Sequence, residues 1–223
     1  MRLELKIPYE NFDKYNIEKY LISFKNLSKH HPSRYINSIY FDNENLQIAR
    51  DNIDGKSQRS KIRVRYYGKK NFSDCFLEIK KKNNKFGTKK IIKLEKKVNE
   101  IDFFNLFSLK NKIYKELITE PFIEKYIVRD FLVPSLKVSY MRDYFIKDDI
   151  RITHDKNIKY SSFLLNKNIV AKEFVDTHSV IEVKFDYSNL NKALNILDNI
   201  PIKPKRYSKY LRGLSFFNKA IYF

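Results

Sequence analysis

Ile62-Arg63-Val64-Arg65-Tyr66 alternates apolar and cationic residues with a period of two. A strand turns successive side chains to opposite faces, so both arginines share one face while Ile62, Val64 and Tyr66 share the other. The same sorting recurs along the chain. Glu78 and Lys80 fall opposite Leu77 and Ile79; Glu182 and Lys184 fall opposite Ile181 and Val183; Arg2, Glu4 and Lys6 fall opposite Leu3 and Leu5. One such pair is what the solvated face of any antiparallel sheet presents. The repetition of charge at matching strand positions is the signal.

Working outward, alternation marks strands over 3–7, 38–41, 61–67, 75–80, 136–145, 150–155 and 180–185, with a weaker one over 89–94, or about eight strands. Helical periodicity marks 9–24, 99–115, 187–197 and 208–219, with a short helix over 120–126, and Asn189 or Ser188 is placed to cap the third. Lys80-Lys81-Lys82-Asn83-Asn84 reads as a strand end entering a hairpin with Gly87 as its turn residue, and His30-His31-Pro32 as a surface loop. Strands joined mostly by hairpins and interrupted by a few helices predict an α+β class with an antiparallel sheet, in a single domain over 1–223. An amphipathic helix must bury its stripe, and the apolar strand faces are the surface available. The helices therefore pack outside, and the charged faces point together. If the strands close, the expected form is a closed antiparallel β-barrel, a basic tunnel with room for one elongated ligand.

The bulk composition agrees on the ligand's sign. The chain has 223 residues, 45 Lys+Arg against 26 Asp+Glu and a formal net charge of +19. A lumen of mostly cations repels itself when empty, which makes a polyanion its natural content. Arginine grips phosphate oxygens with a planar fork, whereas lysine supplies a mobile point charge. Glu4, Glu78 and Glu182 need a separate account, because a carboxylate facing phosphate weakens its binding. Such oxygens hold Mg²⁺ or Mn²⁺, which bridge phosphate oxygens during transfer; a salt bridge to a neighbouring Arg or Lys is the alternative for each.

Other classes fit less well. The charge and the 15% aromatic content would suit a nucleic-acid binder, but no RNP, zinc-finger or helix-turn-helix signature accompanies them. The four histidines lack zinc-like spacing, and no Ser, Cys or His nucleophile arrangement is recognisable. The lone Cys75 cannot form an internal disulfide, no secretory signal opens the sequence, and no apolar run reaches the roughly 18–20 residues of a membrane span. A cytoplasmic location follows as the expectation, with attachment to a membrane-protein partner left open and the oligomeric state not given.

Taken in order, Arg2-Leu3-Glu4-Leu5-Lys6, Ser38-Ile39-Tyr40-Phe41-Asp42, Lys61-Ile62-Arg63-Val64-Arg65-Tyr66, Phe76-Leu77-Glu78-Ile79-Lys80, Tyr140-Met141-Arg142, Arg151-Ile152-Thr153-His154-Asp155, Ile181-Glu182-Val183-Lys184-Phe185 and Ser208-Lys209-Tyr210 cover nearly the whole chain. Together they resemble the triphosphate tunnel metalloenzymes (CYTH-like), and within them the VTC-type polyphosphate polymerase domain. The resemblance implies a divalent metal, Mn²⁺ or Mg²⁺, and transfer of the γ-phosphoryl of ATP to a growing polyphosphate chain. It implies that Lys6, Arg63, Arg65, Lys80, Arg142, Arg151 and Lys209 bind phosphates, with Arg63, Arg65, Arg142, Arg151 and Lys80 as the catalytic clamp, and that Glu182 holds the metal; Lys90, Lys184 and Ser208 are further candidate phosphate contacts, and Glu4 and Glu78 further candidate metal ligands. Lys89 or Lys93 could stand in for Lys90, since the strand after the turn aligns poorly. Many relatives open with two glutamates in an ExExK pattern; Arg2 occupies the first of those positions here, which fits the polymerase-like branch better than thiamine triphosphatase or adenylate cyclase. The same tunnel with water as acceptor would be an inorganic triphosphatase. The chain shows no recognisable adenine pocket, so ATP as donor rests on the resemblance.

Overall fold

A computed structural model of the chain describes residues 2–11, 14–23, 25–68, 75–84, 86–94, 132–163 and 170–217. The strands are β1 (Arg2–Glu10), β2 (Ser28–Asp42), β3 (Gln58–Tyr67), β4 (Cys75–Asn83), β5 (Phe86–Lys93), β6 (Val133–Lys147), β7 (Ile150–Phe163), β8 (Val170–Val175) and β9 (His178–Asp186). The α-helices among the described residues are α1 (Lys14–Ser23), α2 (Gln47–Ile53), α3 (Leu190–Asp198) and α4 (Lys209–Ser215). Hydrogen-bonded neighbours run β1-β9-β7-β6-β2-β3-β4-β5, with β8 on β7, in one nine-stranded sheet. The pairs β1–β9, β7–β9, β2–β3, β3–β4 and β4–β5 are antiparallel. Among the described residues this path does not return on itself, so the sheet is mostly antiparallel and the expected closure is not made by strand pairing. The helices expected over 99–115 and 120–126 lie outside the described residues.

The chain forms two compact units. One comprises Met1–Tyr35, Ser139–Lys159 and Val175–Ser208; the other comprises Ile36–Val138, Tyr160–Phe174 and Lys209–Phe223.

In the first unit, β1 pairs with β9 so that Leu3 faces Phe185, Leu5 faces Val183 and Ile7 faces Ile181. Ile152 of β7 extends the row beside Val183. Ile17 and Leu21 of α1 and Ala193, Ile196 and Leu197 of α3 complete this core with Ile7, Tyr9, Ile150 and Ile152. The spacing of the α3 residues forms one helical stripe, and burying each large side chain contributes roughly 1.5–3 kcal/mol. In this unit α1 and α3 thus cover the apolar face, as the sequence predicts; α4 of the second unit instead stacks Tyr210 on Tyr40 of the charged face. Tyr9 also bonds the buried His154 through its hydroxyl, 2.5 Å from Nε2.

The second unit repeats the scheme with other residues. Ile39 faces Val64 and Phe41 faces Ile62 across β2–β3, while Val64 faces Leu77 and Ile62 faces Ile79 across β3–β4. Ile48 of α2 packs on this face. The helix α2 has Leu46 at its N-cap in the left-handed region (φ 53) with no side-chain cap. Its N–H groups are taken from farther back: Asp42 accepts from Asn43 and Ile48 at Oδ1 and from Ala49 at Oδ2, each at 2.9 Å, and Asn43 Oδ1 accepts from Gln47 at 2.8 Å. Gly213 of α4 leaves no room for a side chain, because a Cβ there would meet Leu136 Cδ2 and Tyr160 Cδ1 at 2.5 Å.

Several boundaries differ from the sequence expectation. His30, His31 and Pro32 belong to β2 rather than a loop; the first seven residues of that strand are exposed and all but Pro32 are polar, so no alternation marks them. The β4–β5 turn is made by Asn84 in the left-handed region (φ 52), a conformation asparagine tolerates, while Gly87 lies inside β5 opposite Lys82. The first helix starts at Lys14 because β1 runs on to Glu10.

Candidate functional site: two charged strand faces

The face opposite the core of the second unit is built by register. Arg63 lies between Tyr40 on β2 and Glu78 on β4, and Arg65 lies between Ser38 and Phe76. Glu78 is the centre of this face. Its Oε2 accepts Arg63 Nε at 2.7 Å and Nη2 at 2.6 Å; its Oε1 accepts Lys89 Nζ at 2.8 Å, with Arg65 Nη1 at 3.8 Å. Arg63 Nη1 also donates to the Tyr40 hydroxyl at 2.9 Å, and Arg65 Nε donates to Ser38 Oγ at 3.3 Å. Burial by itself would raise the Glu78 carboxyl, but Arg63, Arg65 and Lys89 outweigh it and hold it at about 2. Burial would likewise raise Tyr40; Arg63, Arg65 and Lys209 turn its shift downward.

Next to this centre stands a row of like charge. Lys61 faces Lys80 and Lys80 faces Lys89 across three strands, and Arg59 faces Lys82 one step beyond. Like charges directly opposite destabilise a sheet, so the row favours a bound anion. The register puts Lys90 opposite Ile79, on the alternate that carries the apolar residues, and puts Lys89 on the alternate that carries Glu78. The buried Lys209 opens α4, and its charge acts on Tyr40; Ser208 is the half-buried residue before it.

The first unit has its own charged face. Arg142 of β6 forks onto Asp155 of β7, with Nε 2.5 Å from Oδ1 and Nη2 2.6 Å from Oδ2, and Nη2 also donates to Glu182 Oε2 at 3.1 Å. Burial opposes its charge, but Asp155, Tyr140 and Glu182 raise the Arg142 guanidinium well above its ordinary value. Lys184 Nζ sits 2.9 Å from Glu182 Oε2 and 3.8 Å from Glu4 Oε2, so one ammonium lies between two carboxylates. Lys6 Nζ is 3.2 Å from Glu4 Oε1 and donates to the Tyr207 carbonyl at 3.1 Å. Arg151 lies opposite Lys184 and is exposed; Thr153 lies opposite Glu182.

The donor sets discriminate among the expected metal ligands. Among the described residues no three His, Cys, Asp or Glu side chains gather in a metal-sized group. Glu78 does not fit a cation, since three positive side chains already converge on it. Asp155 is committed to Arg142. Glu4 and Glu182 do fit a Mg²⁺- or Mn²⁺-type ion, which needs only one or two carboxylates when phosphate oxygens and water fill the rest of its shell.

Asp155 and Tyr40 are among the members of these faces that the sequence reading did not single out as site residues. Parity was the available signal: Asp155 shares its strand face with Arg151, and Tyr40 shares one with Ser38.

Comparison with known proteins places these faces in context. The model of the VTC domain family matches residues 5–218. Among solved structures, a Hippeastrum protein named as an adenylyl cyclase, HpAC1, whose dominant activity is described as that of a triphosphatase, aligns at TM-score 0.62 and 14% identity, covering 97% of this chain and 96% of its own. A candidate adenylate cyclase from Bacillus halodurans aligns at TM-score 0.59 and 12% identity over 95% of this chain and 96% of its own. One from Vibrio parahaemolyticus aligns at 0.53 and 11% over 96% and 97%. At such identities the likeness is one of fold. No curated protein matches the chain.

Proposed function

The chain belongs to the VTC domain family, and from that premise we propose that it is a polyphosphate polymerase of the triphosphate tunnel type, acting within one domain over 1–223. In the proposed reaction a terminal phosphate oxygen of the growing chain attacks the γ-phosphorus of ATP. The new P–O bond forms as the bond to ADP breaks, and ADP leaves. The fold that goes with this reading is the closed basic tunnel expected from the sequence. The observation that carries it is the Glu78 cluster: three cations converge on one buried carboxylate, so the face keeps a positive surplus that phosphate oxygens can offset.

Phosphoryl transfer asks little covalent chemistry of a protein and much positioning and charge neutralisation. Arg63 suits the clamp because Glu78 and Tyr40 fix its plane before any ligand arrives. Arg65 is steadied by Ser38. Lys80, Lys61 and Lys89 extend the cationic surface along the strands, and Arg142, Arg151, Lys184 and Lys6 supply further phosphate contacts. Glu4 and Glu182 would hold a divalent ion, which would supply charge neutralisation during the transfer. The Arg142 fork on Asp155 would hold Glu182 in place by its second bond.

The likeness to the Hippeastrum triphosphatase favours a second reading, in which water accepts the phosphoryl group and free phosphate is released. Incubating the protein with ATP and Mn²⁺ or Mg²⁺, with and without a short polyphosphate primer, separates the two. ADP release with lengthening polyphosphate is the expected result. Free phosphate without polymer would establish the triphosphatase. No turnover, with a salt-sensitive shift of mixed RNA, would replace both by a binding module. Among the described residues no helix is long and apolar enough to cross a membrane; a cytoplasmic site of action, with the buried Cys75 kept reduced, belongs to the same proposal.

A further inference from the structure

The C-terminal helix α4 meets the Arg63 face through side chains that the phosphate clamp itself does not use. Tyr210 stacks its ring on Tyr40, with centroids 4.7 Å apart and planes 16° from parallel. Its hydroxyl donates to Asp42 Oδ2 at 2.7 Å and lies 3.0 Å from Ser135 Oγ. Ser135 Oγ in turn donates to the Tyr40 carbonyl at 3.1 Å. Tyr40 thus has its ring braced by Tyr210, its backbone tied through Ser135, and its hydroxyl accepting from Arg63. Lys209, one residue before Tyr210, acts on the same tyrosine from α4.

Asp42 is the fixed end of this chain. It is fully buried and accepts four donors: the N–H groups of Asn43, Ile48 and Ala49, and the Tyr210 hydroxyl. The amides of Ile48 and Ala49 already anchor it to α2. A buried tyrosine hydroxyl needs a partner, but it does not need a carboxylate whose burial is costly. Burial pushes Asp42 up to about 6 in spite of its donors, and the same burial together with Asp42 raises Tyr210 well above its ordinary value. An arrangement that holds a charge at such a cost is explained by what it orients.

We propose that Asp42 and Tyr210 are positioning residues of the phosphate clamp. The Tyr210 hydroxyl, seated on Asp42, sets Tyr40 and Lys209, and Tyr40 passes that placement to Arg63. The inference rests on the reading of the Arg63 face as the phosphate site.

Binding of inorganic tripolyphosphate, measured by calorimetry on the full chain, tests this without requiring turnover. Tyr210→Phe keeps the ring stack and deletes only the hydroxyl. It should weaken tripolyphosphate about tenfold, below the roughly 100-fold cost of a 1 Å misplacement. The loss should shrink in an Arg63→Ala background, because residues acting through one another are non-additive. Asp42→Asn, of equal volume, should reproduce the pattern. A Tyr210→Phe protein that melts lower yet binds with wild-type affinity would overturn the positioning role and leave the clamp reading standing. An equal loss with and without Arg63 would also overturn it, since Tyr210 would then act independently. Wild-type protein that ignores tripolyphosphate would remove the clamp reading and this inference together.

Discussion

Glu78 and Glu182 are both buried carboxylates on strand faces opposite an apolar core, yet their company differs. Around Glu78, Arg63, Arg65 and Lys89 share one carboxylate. Around Glu182, the cations Arg142, Lys184 and Lys6 are matched by Asp155 and Glu4 as well. The surplus at Glu78 makes that carboxylate an organiser: it holds guanidinium planes in order and leaves positive charge over for an anion. The balance at Glu182 leaves two acids flanking one ammonium, and an ammonium can be exchanged for a metal ion. Under the proposed function, the same residue type at the same kind of strand position would therefore serve opposite partners, according to how many acids share its cations.

The contrast can be broken at its strongest point first. Arg63→Ala should lower the rate by about 10²–10³, the cost of removing a preorganised charge donor; unchanged turnover would refute its place in the clamp. Glu182→Gln should weaken Mn²⁺ binding, read by electron paramagnetic resonance, by roughly 10- to 100-fold, the range seen even for groups that only support a ligand. Glu78→Gln should leave Mn²⁺ binding alone. Its expected effect is a stability loss of about 2 kcal/mol in denaturant unfolding, less than the ~3–5 of a fully enclosed pair because Lys89 remains accessible. If the two glutamine variants behaved alike toward Mn²⁺, the comparison would collapse.

The effect of pH sharpens it further. The Glu78 carboxyl is depressed from 4.5 to about 2, so its contribution to stability is complete above about pH 4.5 and is lost as pH falls through 2. Asp42 is raised from 3.8 to about 6, so its contribution is complete below about pH 4 and is lost as pH rises through 6. Melting curves of Glu78→Gln should flatten the acid limb, and those of Asp42→Asn should flatten the decline between pH 4 and 6. The smallest expected effect is at Lys90: alanine there should change stability by no more than about 0.5 kcal/mol and leave tripolyphosphate affinity unchanged, whereas Lys89→Ala should weaken it.

Much of this contrast is legible in the sequence, because parity alone sorts Arg63 from Val64 and Glu182 from Val183. Parity does not reveal which charges meet. Lys89 and Lys90 sit on opposite faces, and choosing between them requires the register, which a turn centred on Asn84 rather than Gly87 decides; a slip of one residue exchanges every side chain in the strand. The α2 helix escapes for a related reason. Its first-turn amides are satisfied by Asp42, several residues back and across a left-handed Leu46, so no local cap signal announces it. The front of β2 is polar on both alternates, and a period of two has nothing to mark there. Membership of Asp42 in the Tyr210 network needs a partner 168 residues away, a distance over which single-sequence periodicity carries no information.

Gly213 has a consequence for any attempt to improve the protein. Replacing a helical glycine with alanine is a standard stabilising change, worth up to about 1 kcal/mol where the helix is exposed. Here the missing methyl is a clearance: Leu136 and Tyr160 occupy the place it would take. Gly213→Ala would act as a wedge, lifting α4 from its seat and moving Lys209 and Tyr210 with it. A saturation library at this position should return glycine among its stable clones and little else, and a consensus-driven design that fills it would trade helix propensity for a displaced clamp.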